Sequence, residues 1–324
     1  MAGLVIACTA TFGDEAEGLL TEGVAPHTLS LSRQRSASNL SAAERDEAVL
    51  KAEVVFGQPN PEDLLAAPRL RWVHLSSAGY TRYETPEVRE AFQKRGIALT
   101  TSSGVYDEPC AEHALALVLA ASRRLPECVQ EQLGARGWPS REVRRRSGLL
   151  RGRSVLVLGF GAIGRRLAEL LAPFEVELTI FRAHPRGDEP GRVVVRDGLE
   201  EAFAEAEFVI STLPENETTR ALVSRPLIDR MQPTAWFINV GRGTTVDQAA
   251  LHTALTARRL GGAYLDVTDP EPLPADHPLW QAPGCWITPH AAGGQREEMV
   301  ALVQHFLDNL RRFERGTALV DRVI

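Results

Sequence analysis

The stretch Ser154–Gly164, SVLVLGFGAIG, limits what this chain can fold into more than any other. A short apolar run ends in Gly159-Phe160-Gly161-Ala162-Ile163-Gly164, a G-x-G-x-x-G pattern. The residues after it, RRLAELLA, have the spacing of an amphipathic helix. Strand, glycine turn and helix in that order present backbone N–H groups and the positive end of a helix dipole to an anion. Gly159 permits the tight turn, Gly161 lets the backbone approach a pyrophosphate, and Gly164 lets helix and strand pack closely. Ala162 and Ile163 carry the main chain between them. The reading is a dinucleotide site, with a purely structural turn as the alternative.

Short apolar runs alternate with helical patterns on both sides of this turn. Before it come LVIAC (4–8), EVVFG (53–57), RWVHLS (71–76) and IALTT (97–101). From it onward come VELTIF (176–181), FVISTLP (208–214), AWFINVG (235–241), GAYLDV (262–267) and CWITPH (285–290). Strands separated by helix-length segments imply parallel sheets covered on both faces. A helix is expected over 108–124, with Asp107 as N-cap and Pro109 in its first turn. It is apolar nearly all round, so burial between domains or subunits is expected. A last helix, 295–316, carries Met299, Val303, Phe306, Leu307 and Leu310 on one face and stops at Gly316. A Rossmann unit is complete without it, so it is free to return to the first domain.

With 324 residues the chain is long enough for two domains. A net charge of −6 gives no general attraction to nucleic acid or to an anionic membrane. The local exception, Arg141–Arg153, reads as a solvated loop, with a polyanion contact as the minor alternative. Cys8, Cys110, Cys128 and Cys285 lack metal-ligand spacing, and reduced thiols in a cytoplasmic protein are the simplest account. Neither a signal peptide nor a membrane span is read, and no metal site.

The tip of the next strand after a glycine turn sorts the cofactors, because an acid there bonds the ribose hydroxyls of NAD. Here that position is Arg182, in TIFRAHPR. A guanidinium cannot accept from those hydroxyls, but it can donate two hydrogen bonds to a 2′-phosphate. NADP is therefore the expected cofactor, with NAD still possible. Arg182 is the main expected contact, assisted by Arg186 or His184.

Three later segments each carry one polar residue at a strand end: Arg242 in FINVGRGTTVD, Glu271 in LDVTDPEPLP and His290 in TPHAAGG. Together with SSGVYDEPCAEHALALVLAASRRLPE (102–127) and STLPENETTR (211–220), they make the chain resemble the D-isomer-specific 2-hydroxyacid dehydrogenase family, in particular glyoxylate/hydroxypyruvate reductases. The resemblance covers nearly the whole sequence. It implies that Arg242, Glu271 and His290 are catalytic: Arg242 grips the carboxylate of a 2-oxo acid, His290 protonates the keto oxygen, and Glu271 orients His290. It further implies cofactor contacts at Thr212, Pro214, Val240, Gly241, Asp266 and Gly293. A structural cap is the alternative for Asp266. Ser77, Ala78 and Gly79 resemble the loop whose N–H groups bind substrate carboxylate, although Tyr80 and Thr81 depart from the usual Val and Asp. His113 reads as structural or interfacial.

The expected architecture is α/β, with two doubly wound parallel-sheet domains. A Rossmann nucleotide domain (101–289) is inserted into a flavodoxin-like substrate domain (1–100 plus 290–324), with the site in the cleft between them. The expected function is hydride transfer between NADP(H) and a small 2-oxo or 2-hydroxy acid, by a homodimer. Formate dehydrogenases fit less well, because Gln is usual where Glu271 stands. A dinucleotide-sensing, corepressor-like binding protein is the alternative from another class.

Overall fold

The computed structural model describes residues 3–36 and 44–324. The chain forms two compact units, Met1–Tyr106 with Gln295–Ile324, and Asp107–Gly294. The breaks fall a few residues beyond the boundaries read from the sequence, and the first lies inside the helix Ser103–Ser122.

In the first unit, β1 (Val5–Ala10), β2 (Thr28–Ser36), β3 (Val54–Gly57), β4 (Trp72–Leu75) and β5 (Ala98–Thr100) form a parallel sheet in the order β2-β1-β3-β4-β5. This is the flavodoxin-type order. The central strands β3 and β4 are buried at every position, as expected of a sheet covered on both faces. Side-chain caps set the helix starts. Asn60 accepts from the Glu62 N–H, and Thr85 accepts from the Val88 N–H. A proline stands at the first position of each helix.

The C-terminal helix Glu298–Glu314 belongs to this unit. Phe306 stacks on Phe56 at 4.4 Å between ring centres and on Trp72 at 5.3 Å. Leu302, Val303, Leu307 and Leu310 are buried in the same cluster as Ile6 and Phe56. Burying one side chain of this kind contributes roughly 1.5–3 kcal/mol. Met299, expected on that face, is exposed instead. It sits in the first turn, beside Val300 and Ala301, which do pack on the core. The chain end adds a short antiparallel contact, with the Val323 N–H donating to the Leu99 carbonyl.

The second unit has seven parallel strands: β6 (Ser154–Leu158), β7 (Glu177–Phe181), β8 (Arg192–Val194), β9 (Phe208–Ser211), β10 (Trp236–Asn239), β11 (Gly262–Leu265) and β12 (Cys285–Ile287). Their order is β12-β11-β10-β9-β6-β7-β8. The strand order reverses between β6 and β9, the switch point where such sheets bind ligands beyond the strand ends.

Three local expectations are corrected. Strands β2 and β8 lie at sheet edges and were not read from the sequence. The long helix starts at Ser103, not 108, so Asp107 is not its cap and Pro109 lies within it. Proline has no N–H for the Val105 carbonyl four residues back, and that carbonyl accepts from Gln295 Nε2 at 3.3 Å instead. Within a single copy of the chain, Leu115, Leu117 and Leu119 of this helix are half-buried. The basic run beginning at Arg141 is no simple loop, because Ser140–Arg146 is helical and exposed before the chain straightens toward β6.

Candidate active site

The glycine turn sits at the carboxyl end of β6. Gly159 has φ +94°, a conformation that L side chains rarely adopt, and a Cβ on Gly164 would run into the Gly159 carbonyl. Both glycines are therefore required by the backbone itself. A Cβ on Gly161 would meet nothing within 4 Å, and no side chain caps the helix Ala162–Leu171 that begins there. The turn is thus an open cradle of main-chain donors at a helix N-terminus, which suits a pyrophosphate. Ala162 and Ile163 are half-buried in its first turn. Thr212 closes one side, with its hydroxyl donating to the Leu158 and Gly159 carbonyls at 3.2 Å. Pro214 is exposed just beyond, and its carbonyl accepts from Thr219.

The end of β10 carries the next group. Val240 is buried, and its N–H donates to the Ser211 carbonyl. A Cβ on Gly241 would press on the Leu213 backbone, so the two strand-end loops touch here. Buried Asn239 fixes the turn, with its amide donating to the Arg242 carbonyl at 3.0 Å and its oxygen accepting from the Gly241 N–H at 3.0 Å. Arg242 donates from Nη1 to the Gly241 carbonyl at 2.7 Å. Gly243 packs against the Thr268 backbone too closely for any side chain. The loop bearing Arg242 is thereby seated on the end of β11.

From that end come Asp266 and Glu271. Glu271 Oε1 accepts from the Thr268 N–H at 2.9 Å, and Oε2 lies 2.7 Å from His290 Nδ1. Partial burial pushes the Glu271 carboxyl up. The His290 and Thr268 hydrogen bonds, with the charges of His290 and Arg242, outweigh that and hold it below the ordinary carboxylate range. Glu271 is then ionised at neutral pH and sets its negative charge against the His290 ring. With Nδ1 committed to Glu271, Nε2 is the ring nitrogen left for chemistry.

His290 has φ +51°, unusual for a residue with a side chain. Asp266 is what holds it there. The His290 N–H donates to the Asp266 carbonyl at 2.8 Å. The buried Asp266 carboxylate accepts from Thr288 Oγ1 at 2.6 Å and from the N–H groups of Ala291 and Ala292 at 2.9 and 3.0 Å. The capping alternative for Asp266 thus has direct geometric support. Gly293 lies in the following turn, half-buried. His113 reaches the same network, with Nε2 3.4 Å from Thr288 Oγ1 and 3.8 Å from Asp266 Oδ1. Asn239 and Thr288 were missed in the sequence, where neither stands out from its strand.

Ser77, Ala78 and Gly79 belong to the first unit, in the loop after β4. Ser77 Oγ accepts from Gln58 Nε2 at 2.9 Å and donates to the Gly79 carbonyl at 2.6 Å, which shapes the loop. Arg182 closes β7, but its guanidinium is not free: Nη1 pairs with Glu189 Oε1 at 2.8 Å and with Asp188 Oδ1 at 3.2 Å. Arg186 and His184 are exposed in the same loop.

The sequence profile described as "D-isomer specific 2-hydroxyacid dehydrogenase, NAD binding domain" matches residues 115–292, more than half of the sequence. The chain belongs to this dehydrogenase family. It is an oxidoreductase, and its second unit contains the matched nicotinamide-dinucleotide-binding domain. Among its relatives, a glyoxylate reductase from Korarchaeum cryptofilum is 34% identical over 255 residues, 78% of this chain and 75% of that protein. The glyoxylate reductase/hydroxypyruvate reductase of Homo sapiens is 32% identical over 228 residues, 69% and 68% of the two chains. An NADPH-dependent glyoxylate/hydroxypyruvate reductase from Sinorhizobium meliloti, solved with NADP and malonate, shares 25% identity. Its TM-score is 0.74, covering 98% of this chain and 96% of that one. Both parallel sheets are those expected of this dehydrogenase fold. Among the described residues no helix is long and apolar enough to cross a membrane.

Proposed function

We propose that this dehydrogenase reduces a small 2-oxo acid, of the size of glyoxylate or hydroxypyruvate, to its D-2-hydroxy acid, with NADP(H) preferred over NAD(H). The observation that carries the reading is the His290–Glu271 pair at 2.7 Å, beside an arginine whose charge Glu271 feels. A bound reduced nicotinamide supplies the hydride. Arg242 holds the substrate carboxylate, and its planar fork suits two carboxylate oxygens. His290 Nε2 donates a proton to the keto oxygen as negative charge grows there, while Glu271 keeps the ring oriented and charged. The same proposal assigns the main-chain N–H groups of Ser77, Ala78 and Gly79 to the carboxylate. It assigns Gly159, Gly161, Ala162, Ile163, Gly164, Thr212, Pro214, Val240, Gly241, Asp266 and Gly293 to the dinucleotide. The names of the glyoxylate reductase relatives support the substrate class, and the NADPH dependence named for the Sinorhizobium enzyme supports the cofactor, as does a base at Arg182.

A panel of 2-oxo acids with NADPH and NADH tests this. Oxidation of NADPH with glyoxylate or hydroxypyruvate is expected, at a higher kcat/KM than with NADH. Tight NADPH binding with no turnover on any 2-oxo acid would favour the dinucleotide-sensing alternative.

We also propose a cytoplasmic homodimer. The four cysteines are free thiols, in keeping with a reducing compartment. Leu125, Val129, Leu133, Trp138 and Leu149 lie exposed in one stretch of the second unit, Trp138 at 91% and Leu133 at 79%. Large apolar side chains exposed to this degree are what an association surface would cover. Sedimentation velocity is expected to show twice the 35.5 kDa chain mass, with Leu133→Asp shifting it toward the monomer. A monomeric wild-type protein would exclude the dimer.

A further inference from the structure

The two acids paired with Arg182 have different surroundings. Glu189 is built in: its side chain is 1% exposed, and it accepts from the main-chain N–H groups of Arg186 and Gly187 at 2.9 and 2.8 Å. The Arg186 N–H first, then Arg182 and the Gly187 N–H, hold its carboxyl down to about 2, so it stays charged at every working pH. Glu189 fixes the loop and one edge of Arg182.

Asp188 is different. Its side chain is half exposed, and its two oxygens go to two cations. Oδ1 lies 3.2 Å from Arg182 Nη1, and Oδ2 lies 3.0 Å from Arg165 Nη1. Arg165 comes from the helix just after the glycine turn. Its guanidinium stands 4.8 Å over the Phe160 ring, and that of Arg182 stands 6.0 Å from the same ring. Two guanidinium groups from separate segments thus converge beside the glycine turn, joined by one carboxylate.

We propose that Asp188 is a built-in competitor for the 2′-phosphate of NADP(H), and that Arg165 is a second cation of that subsite. This rests on the NADP(H) reading and adds to it residues outside the strand tip. A carboxylate carries one negative charge, whereas a phosphate monoester carries between one and a half and two and has three acceptor oxygens. Both guanidiniums gain by exchanging Asp188 for the phosphate, since exposed carboxylate pairs are weak and salt-screened. A dinucleotide without the 2′-phosphate offers nothing to exchange, and Asp188 keeps its partners. The device makes discrimination depend on a displacement as well as on attraction.

Isothermal titration of the full-length protein at low salt with 2′,5′-ADP and with 5′-AMP tests it without reference to turnover. The wild-type protein is expected to bind 2′,5′-ADP about tenfold more tightly or better. Asp188→Asn should tighten 2′,5′-ADP by about three- to tenfold and leave 5′-AMP unchanged. Arg165→Gln should weaken 2′,5′-ADP selectively, and in that background Asp188→Asn should gain less, because the bridge is already broken. Failure of the wild-type protein to distinguish the probes would remove the NADP(H) reading itself. Discrimination in the wild-type protein with no change in Asp188→Asn, or an equal change for both probes, would overturn the competitor alone. So would a gain from Asp188→Asn that persists in full without Arg165.

Discussion

His290→Ala is expected to lower kcat for 2-oxo acid reduction by about 10²–10⁴-fold, the range for losing a positioned general acid. Dinucleotide binding, measured by titration in the absence of substrate, should change little. The size of the effect follows from how firmly the ring is set. Glu271 takes Nδ1 at 2.7 Å, and Asp266 holds the backbone on both sides. Water cannot reproduce that geometry. The pH dependence has a definite sign. Reduction consumes the protonated imidazole and should fall as pH rises; oxidation needs the neutral ring and should fall at low pH. Glu271, held below the ordinary carboxylate range, stays ionised through both limbs, and the stability it contributes is lost as pH falls into the acid range. The alanine variant should lose both limbs. Near-normal turnover in that variant, or one flat profile shared by both directions, would refute the assignment.

Arg242→Gln is expected to lower kcat/KM by about 10²–10³-fold, the cost of removing one partner from a desolvated charge pair. Most of the loss should appear in KM, because the carboxylate is gripped in the ground state as well as in the transition state. Arg242→Lys should recover only part of it, since an ammonium cannot form the two-pronged contact. The loop itself should survive, because Asn239 and Thr245 hold it through the Arg242 carbonyl rather than its side chain. Steady-state kinetics over a wide range of glyoxylate concentration separates KM from kcat. An unchanged KM would remove Arg242 as the carboxylate clamp.

What the sequence made legible follows from burial. Strands β3, β4, β6, β9, β10 and β11 are buried and read as mostly apolar runs, with His74 inside β4. Two of the edge strands were less legible. TLSLSRQRS, which forms β2, alternates polar with apolar, and RVV, which forms β8, is too short to stand out. The helix start at Ser103 was hidden because Pro109 looked like a first-turn residue. Its missing hydrogen bond is made good by Gln295, far along the chain. Arg242, Glu271 and His290 were singled out by their order after the glycine turn together with the family resemblance. The partners of Arg182 were not, because Asp188 and Glu189 fold back on the strand tip from a loop with no periodicity of its own.

The placement of Glu298–Glu314 against Phe56 and Trp72 bears on how the molecule is made. Residues 5–100 leave the ribosome before the inserted unit, yet their sheet lacks Phe306, Leu307 and Leu310 until that unit has been made. The inserted unit, whose strands all lie between 154 and 287, is complete earlier. Domains fold as units during synthesis, so of the two units the one whose strands emerge earlier is the later to close its core.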